Sequence, residues 1–537
     1  MDQITVHHQK KNERRENLFI KKRFAFVDLF CGIGAFHEAI TKIFPEADCY
    51  RAIDSSKRKE KMYKLLFPSF PEERFLRKEI SDKEVVEILT SPKVDYDCLC
   101  AGFPCQPYSR AGERKGSDHF SGNCFDEMMK IVELYNKNHP NNELRMLMLE
   151  NVDYLIRHNE GETWKEMKKK INKLGYEFPK FYSFVDSENN FAYPSSDNLI
   201  TNPLDLADAP LNRPRLFLIV FHKNFLVKKI KEKKIIVSKS TNKNSLSIYK
   251  GKWLQPVNEI VSLELEEEKK KVLDIWSDLL DKISYYDLPH PLWLEFFFSI
   301  PSLKKRRGII SFLKRFYKHH GSNKILELLA DKKELQKHEK LAWKVGFAQK
   351  NWHFYLKHKE KIDNWWKTHK KLLQRKNTYC KLELNIKNYY LAEKFSDFFF
   401  KERCIIQFRH SGIRIKPSTY FPTITRHSSL IIIYDKNWKK YRYLSQQEML
   451  RIFDFSQWKE WEEKGSMAEF VSSLGESISV SVLKAIIKNF RPEIEKIIGD
   501  KRKSICFIEK PSFQGSRIPF RIDNNKKNDI AEKYECK

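Results

Sequence analysis

The amino-acid sequence predicts an α/β protein built on a doubly wound, mostly parallel sheet, followed by a second, smaller domain. Between residues 23 and 221, short apolar runs of strand length alternate with Lys- and Glu-rich segments of helical length. This alternation is typical of parallel sheets with crossover helices. The apolar runs are Phe24–Val27, Cys49–Ile53, Asp97–Ala101, Arg145–Leu149 and Leu216–Phe221.

Residues able to do chemistry stand at or just after the ends of four of these runs. They are Asp28, Asp54, Cys105 and Glu150. In open α/β sheets, ligands bind beyond the carboxyl ends of the strands. The shared placement therefore predicts one site, and it carries more weight than any single residue.

Length and charge limit the class of protein. The chain has 537 residues, which is more than one compact domain usually holds, so two or more lobes are expected. Its formal net charge of +29 favours a polyanionic partner such as nucleic acid. The joint abundance of Lys, Ile, Asn and Phe is also typical of an AT-rich genome, so the charge alone is a weak indicator.

Cysteine usage and hydropathy indicate the compartment. The ten cysteines show no regular disulfide spacing and no Cys/His quartet with zinc spacing, so a reducing cytoplasm and no metal are expected. No apolar run reaches membrane-spanning length, and the basic segment 1–22 has no signal-peptide core. We therefore expect a cytoplasmic protein without a membrane-bound part.

The segment Ala101–Ser109 holds one cysteine between prolines, in a loop that follows an apolar run. Cys105 directly follows Pro104, and prolines fix φ on both sides of the Cys105-Gln106 pair. A thiol held in this way is a candidate nucleophile, because cysteine reacts once its thiolate is populated. A free, buried cysteine is the commoner fate of a single Cys, so the other motifs decide the interpretation.

A strand, a glycine turn and a helix are predicted over Phe26–Phe36. Gly32 and Gly34 let the backbone approach a ligand closely, although many tight turns contain the same pair. Asp54, at the end of the next strand, is suited to accept hydrogen bonds from a ribose diol. The third glycine of a dinucleotide fingerprint is absent, which favours a nucleoside-type cofactor over a pyrophosphate.

Two further motifs are candidates for contacts with a substrate. Glu150 in a pocket would have a raised pKa and could share a proton with a substrate nitrogen. An ordinary strand-end glutamate is the favoured interpretation for Glu150 taken alone. Arg213 and Arg215, at i and i+2 on a strand edge, are expected to point to the same side. Their guanidinium groups suit carbonyl oxygens and oxyanions, and a solvated basic edge is the alternative.

After residue 221 the chain becomes richer in Lys and aromatic residues. An amphipathic helix with a core-facing stripe is predicted from apolar residues at helical spacing. These residues are Val272, Ile275, Trp276, Leu279, Leu280 and Ile283.

Taken in order along the chain, these motifs resemble those of the C5-cytosine DNA methyltransferase family. Phe26–Phe36 resembles its cofactor motif, Phe103–Gln106 its catalytic loop, and Glu150–Val152 its Glu-Asn-Val motif. Further matches are Gly122–Phe125, Leu174–Tyr176, Arg213 with Arg215, Arg442–Arg451 and Gly475–Val480.

The resemblance implies a sheet of the S-adenosylmethionine-dependent methyltransferase type with a smaller target-recognition domain. It implies five parts: a basic arm at 1–22, a catalytic and cofactor-binding domain at 23–221, a target-recognition domain at 222–441, C-terminal motifs whose helix returns to the catalytic domain at 442–490, and a basic tail at 491–537.

The resemblance also assigns residues to roles. The implied catalytic residues are Cys105, Glu150, Arg213 and Arg215. The implied S-adenosylmethionine-binding residues are Asp28, Leu29, Phe30, Gly32, Gly34, Asp54, Glu79, Ile80, Pro104, Cys124, Glu476 and Ser477. The implied DNA-binding residues are Gln106, Ser109, Arg414, Lys416, Thr423 and Arg426.

The implied activity is methyl transfer from S-adenosylmethionine to C5 of a flipped cytosine in a specific double-stranded DNA sequence, through a covalent adduct between Cys105 and C6. The expected context is the modification half of a restriction–modification system. The expected state is a monomer, with a cognate endonuclease that acts on the same site without a stable complex.

Three departures from the family pattern keep other functions open. Leu211 replaces a usual Gln, Glu476 replaces a usual Asn, and Asp454-Phe455-Ser456 replaces a Gly-(Phe/Tyr)-Pro turn. A tRNA cytosine-5 methyltransferase is one alternative, which the large recognition region disfavours. A catalytically silent DNA-binding relative is another, which intact Cys105 and Glu150 disfavour.

Overall fold

Strands and helices alternate from the start of the described chain. The computed structural model describes residues 23–104, 124–183, 194–195, 199–206, 209–225, 232–235, 248, 253–254, 263–283, 288–298, 345–384, 404–425, 430–458 and 465–508. The described part falls into two compact units, 23–493 and 494–508.

The strands are β1 (Ala25–Leu29), β2 (Asp48–Ile53), β3 (Phe75–Leu76), β4 (Cys98–Gly102), β5 (Met146–Val152), β6 (Tyr176–Glu177), β7 (Lys180–Ser183), β8 (Pro194–Ser195), β9 (Leu199–Thr201), β10 (Arg215–His222), β11 (Glu232–Ile235), β12 (Leu292–Trp293), β13 (Lys381–Leu384), β14 (Cys404–Arg409), β15 (Gly412–Pro417), β16 (Ile432–Asp435) and β17 (Lys440–Tyr443).

The helices are α1 (Ala35–Ile43), α2 (Lys57–Leu66), α3 (Lys83–Thr90), α4 (Cys124–Asn138), α5 (Glu162–Lys173), α6 (Pro203–Leu206), α7 (Glu267–Asp281), α8 (Val345–Lys357), α9 (Lys359–Leu373), α10 (Gln446–Ile452), α11 (Met467–Glu476), α12 (Val480–Asn489) and α13 (Arg491–Ile508).

The first sheet has the strand order β3-β2-β1-β4-β5-β10-β6, with β9 also paired to β10. Strands β1 to β5 run parallel, and β10 runs antiparallel to β5. The chain goes from β1 to β2 on one side and later to β4 on the other. The strand order therefore reverses between β1 and β4, which is where such sheets bind ligands. The predicted α/β class with a mostly parallel sheet is confirmed.

Two strands run further than the sequence predicts. β1 includes Asp28 because Leu29 still pairs with Ile53, and β5 continues past Glu150 because Val152 still pairs with Arg215. The carboxylates of Asp28 and Glu150 are therefore inside strands rather than after them.

The core of this sheet follows from strands that are apolar on both faces, as expected for parallel strands covered by helices. Val27, Leu99 and Leu147 share one buried cluster with residues of α3, α4 and α5. On another part of the domain, α12 packs against α1. Helices from both the beginning and the end of the unit 23–493 therefore contribute to this domain.

A second sheet has the order β12-β13-β15-β14-β16-β17. Ile406 pairs with Ile415 and Phe408 with Ile413, and these side chains pack on a second apolar cluster. Successive side chains of a strand point to opposite faces. The other face of β14 and β15 therefore carries Gln407, Arg409, Arg414 and Lys416.

The amphipathic helix predicted after residue 271 is confirmed as α7. Trp276 is fully buried, its ring lies 5.4 Å from that of Trp365, and its indole N–H donates to the carbonyl of Tyr379 at 2.9 Å. The apolar stripe is core of the second cluster, as the sequence predicts. The exact domain boundaries at 221/222 and 441/442 stay predictions.

The Arg442–Arg451 segment returns the chain to the first sheet. Arg442 is 1% exposed, donates to both oxygens of Glu448 at 2.8 Å and contacts Asp435 at 2.6 Å. Ser445 and Glu448 form a capping box that starts α10. This motif therefore has a structural role at the edge of the second sheet.

The turn after α10 joins the C-terminal segment to α1. Asp454 has a φ of 68°, a conformation that Asp tolerates better than most residues, and its carboxylate pairs with Lys484 at 2.7 Å. The backbone N–H of Ser456 donates to Glu38 at 2.9 Å. Asp454 thus adopts the left-handed backbone for which the family usually supplies Gly.

Among the described residues, one stretch, Met467–Asn489, is apolar and long enough to cross a membrane by length and composition alone. It consists of the two helices α11 and α12, and 72% of its apolar window is buried inside the protein. Packing inside the protein, including that of α12 against α1, therefore accounts for its hydrophobicity.

Asp97 should be the most sensitive buried charge at the amino end of the first sheet. Its carboxylate contacts Arg145 at 3.0 Å and accepts the Ala25 N–H at 2.9 Å, with Asp97 1% and Arg145 3% exposed. We predict that Asp97→Ala lowers the free energy of unfolding by about 3 to 5 kcal/mol, because it removes the carboxylate closest to a buried guanidinium. Urea unfolding measures this. Glu87→Ala, which removes the exposed pair with Lys83, is the control, and an equal loss in both variants would contradict the prediction.

Candidate active site

An ion pair between the buried Glu150 and the partly buried Arg215 forms the centre of the site. Glu150 on β5 and Arg215 at the start of β10 lie on antiparallel neighbours, and Arg215 Nε is 3.0 Å from Glu150 Oε1. Burial raises the pKa of Glu150, while the guanidinium groups of Arg215 and Arg213 oppose the shift. Glu150 therefore keeps a proton to higher pH than an exposed glutamate.

The carboxyl end of β4 lies directly beside this pair. Gly102 is in register with Glu150, and a Cβ on Gly102 would lie 3.5 Å from Glu150 Oε2 and 3.3 Å from Ile478 Cδ1. Asn151 Nδ2 donates to the carbonyl of Phe103 at 3.2 Å. The Glu-Asn-Val motif thus fixes the chain just before Pro104.

Three of the predicted residues lie just beyond this point. Cys105, Gln106 and Ser109 are outside the described residues, so their roles stay predictions. Among the described cysteines, burial raises the pKa of several thiols, which makes each a weaker nucleophile. They are Cys31, Cys49, Cys100, Cys124 and Cys404.

Arg213 has a different environment from Arg215. It is 3% exposed and donates to three backbone carbonyls: Ile424 at 2.6 Å, Gly475 at 2.8 Å and Ser477 at 2.7 Å. The expectation that both arginines point the same way assumed one continuous strand, but β10 begins at Arg215. Arg213 therefore positions backbone from two other segments.

The segments held by Arg213 also pair with the chain beside it. Phe421 N donates to Pro210 O at 2.6 Å, Asn212 N donates to Phe421 O at 3.0 Å, and the hydroxyl of Thr423 donates to Asn212 O. Leu211, which replaces the usual Gln, is fully buried. The chain leaving β15 is thereby fixed against the chain entering β10.

The glycine turn follows β1 as predicted. Phe30, Gly32 and Gly34 have positive φ values of 52°, 59° and 87°, and a Cβ on Gly34 would lie 2.3 Å from the Phe67 ring. A Cβ on Gly32 would meet nothing nearer than Phe30 O at 3.9 Å. The turn therefore leaves open space at Gly32.

Asp54 closes this turn from the end of β2. Its carboxylate accepts the backbone N–H of Gly32 at 3.1 Å and of Ser56 at 3.0 Å, and it contacts Lys59 Nζ at 3.3 Å. A carboxylate offers about four acceptor positions, so one remains for a hydroxyl. An acceptor, a partly exposed aromatic ring at Phe30 and an open backbone turn fit a nucleoside.

Asp28 and Leu29 lie behind the turn and are fully buried. Burial raises the pKa of Asp28, the backbone of His37 opposes the shift, and the Asp54 carboxylate adds to it. A neutral carboxyl group at this position is compatible with its place next to Asp54.

The remaining predicted cofactor residues surround the same strand ends. Glu79 is exposed, Ile80 is buried and Pro104 is partly buried. Cys124 begins α4, and burial together with the carboxylates of Glu79 and Glu127 raises its pKa to about 11. Glu79 is thus close enough to Cys124 to affect its pKa, as expected if both residues belong to one binding site.

Glu476 and Ser477 lie in the turn between α11 and α12. Ser477 is buried, and Glu476 contacts Lys59 Nζ at 2.9 Å. Lys59 was missed in the sequence, because one of its two acidic partners, Glu476, is distant along the chain and no local spacing connects them.

The predicted DNA contacts on β15 lie in a group of cations. Arg414 pairs with Glu383 at 2.8 Å, and Lys416 lies 5.4 Å from the centre of the Tyr420 ring. Burial, with Arg414 and Arg409 nearby, lowers the pKa of Lys416 to about 8. Arg409 thus joins the group. Arg426 is outside the described residues.

The fold and the motifs define a family. Residues 24–262 and 257–491 match the model of the C-5 cytosine-specific DNA methylase family, and the chain belongs to this family. The predicted resemblance is confirmed.

Curated relatives are type II methyltransferases. The chain is 27% identical to M.HpaII of Haemophilus parainfluenzae over 48% of its length and 57% of the relative's. It is 31% identical to M.HhaI of Haemophilus parahaemolyticus, over 28% and 41%, and 33% identical to M.MspI of a Moraxella species, over 32% and 36%. The chain thus spans about half or less of the length of these relatives.

The solved structures that align with this chain include Dnmt2 methyltransferase of S. pombe. It aligns with 88% of this chain and 99% of its own length, with 14% identity and a TM-score of 0.43.

Because Arg213 and Arg215 have different partners, we predict that their replacement by Ala lowers the free energy of unfolding by different amounts. Arg213→Ala should lower the free energy of unfolding by about 3 kcal/mol, because three buried carbonyls lose their donor. Arg215→Ala should cost less, because Glu150 can take up a proton when its partner is lost. Urea unfolding at neutral pH compares them, and a larger loss for Arg215→Ala would contradict these assignments.

Proposed function

We propose that this protein is a DNA (cytosine-5-)-methyltransferase that uses S-adenosylmethionine and acts on a cytosine flipped out of a specific duplex sequence. The observation that supports this most is the pair of buried Glu150 and partly buried Arg215 beside Gly102, at the strand end that leads to Cys105. A carboxyl group with a raised pKa and an adjacent guanidinium suit the ring nitrogen and the carbonyl of a cytosine edge.

The proposed reaction starts with a thiolate. S-Adenosylmethionine would supply the methyl group from its sulfonium and leave as S-adenosylhomocysteine. Cys105 Sγ adds to C6 and opens the C5=C6 bond, which makes C5 nucleophilic enough to accept the methyl group. A base, which we take to be water, removes the C5 proton, and the C6–S bond breaks to return the thiolate.

Glu150 and Arg215 stabilise the charge that develops on the ring. Protonated Glu150 donates to N3 as the adduct forms, and its raised pKa keeps that proton available. Arg215 contacts the carbonyl oxygen O2. Arg213 holds the backbone of the neighbouring segments and acts as a positioning residue.

The cofactor would be held around the glycine turn. Asp54 would accept from a ribose hydroxyl, Phe30 would pack on the adenine, and the backbone at Gly32 and Gly34 would approach the ligand. The cofactor contacts proposed for the other predicted residues follow from the family resemblance.

The DNA would lie against the polar face of the second sheet. Arg409, Arg414 and Lys416 supply positive charge there, and Gln106, Ser109, Thr423 and Arg426 stay proposed contacts from the family resemblance. Flipping the base costs a few kcal/mol, which contacts to the duplex must offset.

The proposed context is the modification half of a restriction–modification system. We propose a monomer in the cytoplasm, with a cognate endonuclease that recognises the same sequence without forming a stable complex. The names of the type II relatives support this context.

Covalent trapping tests the assignment of the nucleophile. A duplex with 5-fluorocytosine at the target cannot lose the C5 substituent, so we predict that the protein forms an adduct that survives denaturing electrophoresis. Cys105→Ser should abolish the adduct and methyl transfer while still binding DNA in a gel shift, because the thiolate is the attacking group.

Cys404→Ala is the matched control, since Cys404 is buried in the second core, and it should still trap DNA. An adduct that persists in Cys105→Ser would contradict the assignment. A wild-type protein that binds DNA but traps nothing would support the silent relative, and trapping on tRNA alone would support the RNA enzyme.

A further inference from the structure

Four charged side chains form a network beside the glycine turn. Lys59 Nζ lies 3.3 Å from Asp54 Oδ2 and 2.9 Å from Glu476 Oε2, and Arg58 Nη2 lies 3.6 Å from Glu476 Oε1. Lys59 and Arg58 are in the first turn of α2, while Glu476 ends α11. One ammonium group therefore connects two parts of the protein that are distant in sequence.

Both carboxylates in this network are attached to fixed backbone. Asp54 accepts the backbone N–H groups of Gly32 and Ser56, so it belongs to the glycine turn. The carbonyls on either side of Glu476, those of Gly475 and Ser477, accept hydrogen bonds from Arg213. Lys59 is therefore a direct link between the glycine turn and the turn held by Arg213.

Partial burial strengthens the electrostatic interaction of Lys59 with Asp54 and Glu476. The side chain of Lys59 is 19% exposed, that of Asp54 6% and that of Glu476 26%, so water screens the charges only in part. Burial lowers the pKa of Lys59, but the Asp54 and Glu476 carboxylates outweigh this effect and raise it. Without the ammonium group, the two carboxylates would lack this shared partner and repel each other.

The network also accounts for the departure at position 476. A carboxylate in place of the family's usual Asn would add negative charge to the cofactor edge. Lys59 and Arg58 supply two positive charges against Asp54 and Glu476, so the four groups together are neutral. Glu476 is thereby compatible with a cofactor site.

We infer that Lys59 is a positioning residue for cofactor binding, which holds Asp54 ready for the cofactor's hydroxyl groups and joins it to the turn that contains Glu476. This inference rests on the proposed function, because it takes the glycine turn to be the cofactor site. It adds a residue that lies outside the motifs carrying the family resemblance.

Binding of S-adenosylhomocysteine to the full-length protein tests the inference without any need for activity. Isothermal titration calorimetry would compare wild type with Lys59→Met, Lys59→Arg, Glu476→Gln and the double variant Lys59→Met/Glu476→Gln. Lys61→Met is the matched control, since Lys61 is exposed on the same helix and its loss removes the same charge. The melting temperature of each ligand-free variant is measured in parallel.

We expect Lys59→Met to weaken binding by about tenfold, within the usual range for groups that share contacts. Lys59→Arg and Lys61→Met should stay near wild type. The double variant should bind more tightly than Lys59→Met, because removing the Glu476 charge relieves the repulsion that the first substitution creates. The melting temperatures of the ligand-free variants exclude a merely structural role if they stay near wild type while binding is lost and recovered.

Two results would overturn the inference, and they are distinguishable. If wild type binds S-adenosylhomocysteine and Lys59→Met binds equally well, or if the double variant is no better than Lys59→Met, Lys59 does not position the site. If wild type binds no S-adenosylhomocysteine, the proposed function itself fails, and the inference fails with it.

Discussion

The three hydrogen bonds from Arg213 to backbone carbonyls are the constraint on which the site depends. The guanidinium is 3% exposed and joins the chain before β10 to Ile424 from the segment between β15 and β16 and to Gly475 and Ser477 from the C-terminal turn. A planar group with five donors in a fixed fork suits this task, whereas a lysine ammonium does not. Its charge is further stabilised by the Phe453 ring, 5.7 Å away.

This constraint brings together groups that do different chemistry. Because the turn at 475–477 is held, Ile478 lies against Gly102 and the Glu476 carboxylate reaches Lys59. Ile478 helps to shield the space beside Glu150, whose pKa is raised by burial, and Lys59 connects the same turn to Asp54. The candidate catalytic pair and the candidate cofactor turn therefore share one support.

The sequence predicted the parts of the structure that depend on local pattern. The parallel sheet, the turn at Gly32 and Gly34, the position of Asp54 and helix α7 follow from apolar runs, glycines and helical spacing, and all are present. Strand ends were less predictable: Asp28 and Glu150 lie within strands, because pairing with neighbours extends each strand past its most apolar residues.

Contacts between distant segments could not be predicted in this way. Period-two spacing suggested that Arg213 and Arg215 act together, but only Arg215 is in the strand, and the partners of Arg213 come from segments that the fold alone brings near. Lys59 could not be predicted for the same reason, because its second carboxylate partner, Glu476, lies in the last motif of the chain. The family resemblance assigned roles to residues within the motifs, but it did not indicate which contacts the residues between the motifs make.

Bisulfite sequencing of DNA from a methylation-free bacterial host that expresses this protein tests the central claim most directly. The account predicts protected cytosines within one short recurring sequence, which would establish the reaction, the base and the recognition site together. Complete conversion of every cytosine, with folded protein present in the same cells, would contradict it.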